Sequence, residues 1–270
     1  MSGTPKHVQV TIEKEGYAIL TLAREPVNSM DLAVWEHLLE ALLALESNPS
    51  VRGVIIRSGV GRNVFTAGND IDELFALKTS AERFTQFWTI SNVFLARLLR
   101  SPLITVAAIR GACPAGGTCT ALACDFRVAT EDASMGLNEV ALGISVPEVW
   151  IKLLASIAGK RTADRMSQFA EMVGAKEGVV AGIVDYVTPK GDAAVMEKAV
   201  EVMKRALLLP DPGRIITKRL IRRELAAEWE NEERLKKEAA VAWSLLSHPK
   251  TVKSLEKVLA RLSGPKKSKL

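Results

Sequence analysis

Up to Thr188, short apolar runs alternate with helical periodicities, and this alternation confines the chain to an α/β fold. Val8, Val10 and Ile12 fall on one face of a first strand. A break at Glu15-Gly16 follows, then Ala18 to Leu22, which together predict a hairpin. Asp31 is placed to cap a helix with Val34, Leu38, Ala41, Leu42 and Leu45 at helical spacing. Val51 to Arg57 is a short apolar run of the kind buried in a sheet. A helix carrying Phe84, Phe87, Trp88, Val93, Phe94 and Leu98 leads to a strand over Leu103 to Ile109. A glycine-rich turn, a small-residue helix over about 116–123 and a strand over 125–129 follow. The recurrence of strand, strand and helix predicts stacked turns.

Beyond Thr188 the pattern is all helical. A helix over 192–209 breaks at Pro210-Asp211-Pro212-Gly213, and helices over about 213–227, 228–247 and 250–262 follow. Glu230/Arg234, Glu232/Lys236 and Glu233/Lys237 have the i,i+4 spacing of surface ion pairs. Leu235, Val241, Ala242 and Leu245 form an opposite apolar stripe, to be buried on this chain or on a neighbouring subunit.

Composition narrows the classes. With 48% apolar and 25% charged residues in 270, the chain can bury a core, which excludes disordered, collagenous and coiled-coil classes. The purest apolar run, Leu103 to Ile109, is interrupted by Thr105 and falls far short of the ~20 residues a membrane span needs. No apolar signal core follows Met1 to His7. Cys113, Cys119 and Cys124 are odd in number and have no nearby His, so they read as small buried thiols rather than disulfides or metal ligands.

Conventional catalytic motifs are lacking. His7, His37 and His248 have no nucleophile in a recognisable setting, and Gly111 to Thr118 lacks the Lys of a phosphate loop. No G-x-G-x-x-G follows a strand. Two glycine turns remain, Phe65-Thr66-Ala67-Gly68-Asn69-Asp70 and Pro114-Ala115-Gly116-Gly117. Each is either an ordinary tight turn or a place where free N–H groups meet a ligand, and one donor from each could hold an oxyanion. Glu139 lies in the apolar stretch Met135 to Gly143, either as a half-exposed surface acid or as a buried base with a raised pKa.

These segments, in this order, resemble the crotonase superfamily of enoyl-CoA hydratases and isomerases, from about Val8 to Val187 and on into the helical tail. Pro26 to Met30, Phe65 to Gly68, Gly111 to Gly117 and Leu137 to Glu139 look most like the mitochondrial-type Δ3,Δ2-enoyl-CoA isomerases. The resemblance implies an α/β spiral of repeated ββα turns over 1–200, carrying the acyl-CoA site. It also implies a C-terminal helical trimerisation region over 201–262, and a homotrimer or a dimer of trimers. A flexible tail over 263–270 is expected to carry a targeting signal.

Carried over by position, the N–H groups of Asn69 and Gly116 form the oxyanion hole. Ala67, Gly68, Asn69, Asp70 and Ile71 line the acyl-CoA, and Glu139 is the catalytic glutamate. Arg24 is a candidate for the CoA phosphates. Asn138 either orients Glu139 or is structural. No cofactor or metal is implied, because CoA is part of the substrate.

A second glutamate of the hydratases falls on Cys119 here. A single carboxylate can shuttle one proton, so the expected reaction is conversion of 3-enoyl-CoA to trans-2-enoyl-CoA. The alternatives are a weak hydratase, a dienoyl-CoA isomerase, a thioester hydrolase or a non-catalytic RNA-binding relative.

Ser268-Lys269-Leu270 has the form of a peroxisomal address read by an import receptor, or a glycosomal one in a kinetoplastid. The charge agrees with this division. The whole chain carries 36 basic and 31 acidic residues, but from Arg261 onward there are four basic residues and no acidic one. The remainder is near neutral and gives no support to a nucleic-acid partner.

Overall fold

The computed structural model describes residues 7–262. Its main sheet has the order β1(Val8–Glu13), β2(Tyr17–Leu22), β3(Gly53–Ser58), β4(Ile104–Ile109), then β6(Phe126–Thr130) and β9(Tyr186–Thr188). The first pair is antiparallel and every later neighbour is parallel. A second sheet of very short strands, β5(Ala112–Pro114), β7(Ser134–Gly136) and β8(Val173–Gly174), stands beside it. Two sheets with helices packed against them give the α/β architecture that the resemblance leads one to expect.

The parallel strands are mainly apolar because both faces are covered. Val54, Ile56, Ala107 and Ile109 point into the larger core, beneath α1(Leu32–Glu46) and α3(Ala81–Arg100). Ile55, Val106, Ala108 and Val128 point the other way, against Val195, Ala199, Val202 and Met203 of α8(Asp192–Leu207). Strand β1 differs from its expected role. Val10 and Ile12 share a face as predicted, yet both are exposed, because β1 is an edge strand.

Asp31 does cap α1, its carboxylate accepting from Val34 N at 2.9 Å. The small-residue helix α4(Gly116–Ala123) begins and ends as read, and all eight of its residues are buried. Short helices, α2(Ile71–Leu74), α5(Glu148–Ala158), α6(Lys160–Gln168) and α7(Ala175–Val180), complete the spiral.

The C-terminal helices are α9(Asp211–Trp229), α10(Glu232–Leu246) and α11(Pro249–Leu262). The expected ion pairs along α10 are replaced by others. Glu230 lies just beyond α9 and pairs with Arg100 of α3, while Arg234 pairs with Glu238. Exposed pairs contribute only about 0–1 kcal/mol, so packing holds α10 down. Leu235, Ala239 and Leu246 are buried, whereas Val241 of the predicted stripe is 72% exposed. Among the described residues, no helix is long and apolar enough to cross a membrane.

Candidate active site

The two glycine turns come together. A Cβ on Gly68 would lie 3.1 Å from the Pro114 carbonyl oxygen and 3.7 Å from Gly116 N. Gly68 has φ +83°, a conformation open to glycine at little cost. Ala115, just before Gly116, has φ +51°, a strained value for a residue with a side chain. That twist sets the direction of the Gly116 N–H at the first position of α4. Neither the Gly116 nor the Asn69 backbone N–H donates to a protein acceptor among the described residues.

Buried polar groups hold the first turn. Asn28, itself at φ +53°, donates from Nδ2 to Ser58 Oγ and to the Phe65 carbonyl oxygen at 2.9 and 3.0 Å. Thr66 Oγ1 donates to the Asn28 carbonyl oxygen and accepts from Gly68 N. Met30 N donates to the Gly68 oxygen, and Asp70 N to the Met30 oxygen, so Asn69 is clasped on both sides.

The second sheet brings Glu139 to the same place. Pairing of β5 with β7 sets Pro114 opposite Gly136, and Ala115 N donates to the Gly136 oxygen at 2.8 Å. Three residues on, Glu139 opens a single 3-10 turn, Glu139–Leu142. It is 5% exposed, and neither carboxyl oxygen has a hydrogen-bond partner among the described residues. Burial in this apolar setting raises its pKa to about 7. Its own backbone N–H opposes the shift weakly, without the geometry of a hydrogen bond. Asn138 makes no hydrogen bond to that carboxyl.

Cys119, on α4, is close enough to feel Glu139. Burial first, and then the Glu139 charge, push its thiol pKa well up, so it stays protonated. The three cysteines are all free and buried. No group of three His, Cys, Asp or Glu among the described residues could hold a metal.

Arg24, the candidate for the CoA phosphates, already has partners within the chain. Its guanidinium meets Asp70 at 2.7 Å and Asp31 at 3.0 Å, and donates to the Ser29 oxygen at 2.8 Å. Two carboxylates pair with it, so it ties the Asn69 turn to the start of α1. The adjoining cleft carries two further paired cations, Lys78 with Asp72 and Arg83 with Glu73.

An apolar groove of about 610 Å³ runs between α3 and α10. Leu74 stands at one edge, just after the Asn69 turn, and Ile144 to Pro147 at another, just after Glu139. Ile144 N donates to the Glu139 carbonyl oxygen at 3.3 Å. Phe84 and Trp88 of α3 and Val146 line it, whereas Val149 and Trp150 belong to the core. Sequence reading missed that α10 supplies the opposite wall, through Val241, Ala242 and Leu245. It also missed Trp35, whose indole N–H donates to Asn69 Oδ1 at 3.2 Å.

An arrangement of two free N–H groups, one buried carboxyl and an apolar groove can stabilise an enolate and move a proton along an acyl chain. Known proteins resemble the chain along most of its length. Residues 13–262 match the family model described as enoyl-CoA hydratase/isomerase. The human mitochondrial enoyl-CoA delta isomerase 1 is 34% identical over 254 residues, covering 93% of this chain and 82% of that protein. A probable enoyl-CoA hydratase of Bacillus subtilis is 35% identical over 188 residues, covering 67% of this chain and 69% of that protein. The crystal structure of human mitochondrial Δ3-Δ2-enoyl-CoA isomerase superposes with a TM-score of 0.89 at 32% identity, covering 96% and 99% of the two chains. The chain belongs to the enoyl-CoA hydratase/isomerase family, the crotonase superfamily.

Proposed function

We propose that this protein is a Δ3,Δ2-enoyl-CoA isomerase, converting 3-enoyl-CoA to trans-2-enoyl-CoA in the β-oxidation of unsaturated fatty acids. The observation that carries the reading is a buried carboxyl with no hydrogen-bond partner among the described residues. Glu139 is buried near two free N–H groups, and the neighbouring position on α4 is the protonated thiol of Cys119. Adding water to a double bond needs one group to activate the water and another to supply a proton. Moving a double bond needs one group that takes a proton and gives it back.

In this mechanism the thioester oxygen accepts hydrogen bonds from Asn69 N and Gly116 N. The Glu139 carboxylate takes a proton from C2, and the electron pair moves into a dienolate held by those donors. The resulting carboxylic acid returns the proton to C4, and the double bond settles between C2 and C3. A carboxyl with a pKa of about 7 can serve in both steps near neutral pH. The α3–α10 groove takes the acyl chain. The chemistry calls for no cofactor, since CoA arrives with the substrate.

Incubating purified protein with a 3-enoyl-CoA should give the 2-enoyl isomer, followed by absorbance of the conjugated product. Little water should add to a 2-enoyl-CoA. Efficient hydration would sink the single-carboxylate argument, and salt-sensitive RNA binding without enoyl-CoA turnover would favour a binding role.

Ile216, Leu220 and Ile221 stand exposed on one face of α9, which supports assembly into a trimer or a dimer of trimers. A single-chain mass in sedimentation would exclude it. The Ser268-Lys269-Leu270 address lies outside the described residues and supports a peroxisomal location. Deleting those three residues should leave turnover unchanged and move a fluorescent fusion from peroxisomes to the cytosol. Retention in peroxisomes would refute the address.

A further inference from the structure

The side chain of Asn69 is anchored by a residue outside the site. Trp35, in the first turn of α1, is fully buried, and its indole N–H holds Asn69 Oδ1 at 3.2 Å. A Cβ on Gly116 would lie 3.0 Å from that same Oδ1, so the carboxamide stands directly against the second donor residue. An amide oxygen there is a ready acceptor, and the Gly116 N–H is a free donor beside it. Were the carboxamide loose, its oxygen would compete with the thioester oxygen for that donor. The bond from Trp35 keeps it occupied.

The Asn69 peptide is fixed from the other side. Asp70 accepts from Arg24 at 2.7 Å and from Ser29 Oγ at 3.0 Å. The same guanidinium bridges at 3.0 Å to Asp31, the cap of the helix that carries Trp35. Glu73 strengthens this corner, accepting from Leu32 N at 3.0 Å. Arg24 thus ties the Asn69 turn and the start of α1 to one group.

We infer that Trp35 and Arg24 are positioning residues for the oxyanion hole. Trp35 keeps the Asn69 carboxamide off the Gly116 N–H, and Arg24 fixes the Asn69 peptide through Asp70. The inference rests on reading Asn69 N and Gly116 N as the oxyanion pair.

Trp35→Phe removes the indole N–H and keeps an aromatic ring. It is expected to lower kcat about tenfold, less than the 10²–10³ of losing a donor outright, with KM within about twofold. The carbonyl stretch of a bound acyl-CoA, read by difference infrared spectroscopy, should move back toward that of the free thioester. Adding Asn69→Ala removes the competing oxygen and should restore most of the lost kcat, a coupling that a simple packing defect would not show. Arg24→Gln offers a second, solvent-accessible test: kcat falls with the same infrared change, and Arg24→Lys recovers part of it.

An unchanged kcat and stretch in Trp35→Phe, or a double variant as slow as Trp35→Phe alone, overturns the role of Trp35. Arg24→Gln raising KM alone, as loss of a phosphate ligand would, overturns the role of Arg24. The infrared reading needs only a bound acyl-CoA, not turnover. An unshifted stretch in the wild-type complex therefore sinks the oxyanion pair itself. A shifted one that neither variant alters sinks only this inference.

Discussion

Glu139→Gln should lower isomerase turnover by about 10²–10⁴-fold, the range of a positioned general acid–base, while acyl-CoA binding persists. Glutamine keeps the shape and the burial but can neither take the C2 proton nor deliver one to C4. The wild-type pH profile should carry the same signature. The base form is needed first, so kcat/KM should rise as pH passes through about 7 and then level off, following the raised carboxyl pKa. The residual activity of the variant should lack that rise. Turnover within tenfold of wild type would remove Glu139 from the mechanism.

The same substitution has a consequence for stability that does not depend on the reaction. A carboxyl with a pKa near 4.5 in the unfolded chain and about 7 when folded binds its proton more tightly in the native state. Its contribution to stability is fully present below about pH 4.5 and is lost as pH rises through about 7. At pH 8 the buried charge costs up to about 3 kcal/mol. Glu139→Gln should therefore raise Tm at pH 8 by several degrees, at about 2–4 °C per kcal/mol. Below pH 4.5 the gain should vanish. Thermal melts at the two pH values test this, and equal Tm values at pH 8 would show that no charge is buried there. A site that destabilises its own fold at working pH is what a raised carboxyl pKa requires.

What could be read from the sequence depended on how local its cause was. The Asp31 cap and the bounds of α4 were legible because a cap bonds three residues away and a run of small residues is its own signal. The strands β5, β7 and β8 escaped notice because two or three residues cannot show alternation. Yet they are what carry Glu139 to the glycine turns, and only the family resemblance supplied that juxtaposition. The α10 ion pairs failed because i,i+4 spacing is worth only about 0.3–0.5 kcal/mol. Arg100, 130 residues from Glu230, was free to compete. The pairing of Arg24 with Asp70 is not legible in the sequence because the two lie 46 residues apart. Trp35 went unmarked for the same reason, its acceptor being 34 residues away.

Asp125→Ala is expected to destabilise the fold by about 3–5 kcal/mol, the cost of stranding a buried charge, and to lower Tm by about 6–20 °C. Asp125 lies between α4 and β6, where Oδ2 accepts from Thr105 N and Lys218 Nζ, both at 2.9 Å, and Oδ1 faces Arg222 at 3.0 Å. Lys218 is buried on α9, and among the described residues its ammonium otherwise reaches only the Leu103 oxygen, at 3.0 Å. Burial lowers its pKa, and Asp125 is the main influence holding it up. Without the carboxylate, the ammonium must give up its proton or the helix must lift. Lys218→Met should cost much less, since a side chain of similar length fills the site and Asp125 keeps Arg222 and Thr105 N. Arg222 also donates to the Leu99 oxygen at 2.6 Å, so α9 is fastened to the end of α3 as well as to the sheet. Because α9 leads into α10, a wall of the α3–α10 groove proposed to take the acyl chain, Asp125→Ala should also raise KM for the acyl-CoA at temperatures where the chain is still folded. Equal Tm losses in Asp125→Ala and Lys218→Met would mean that packing, not the buried charge, sets the strength of this joint.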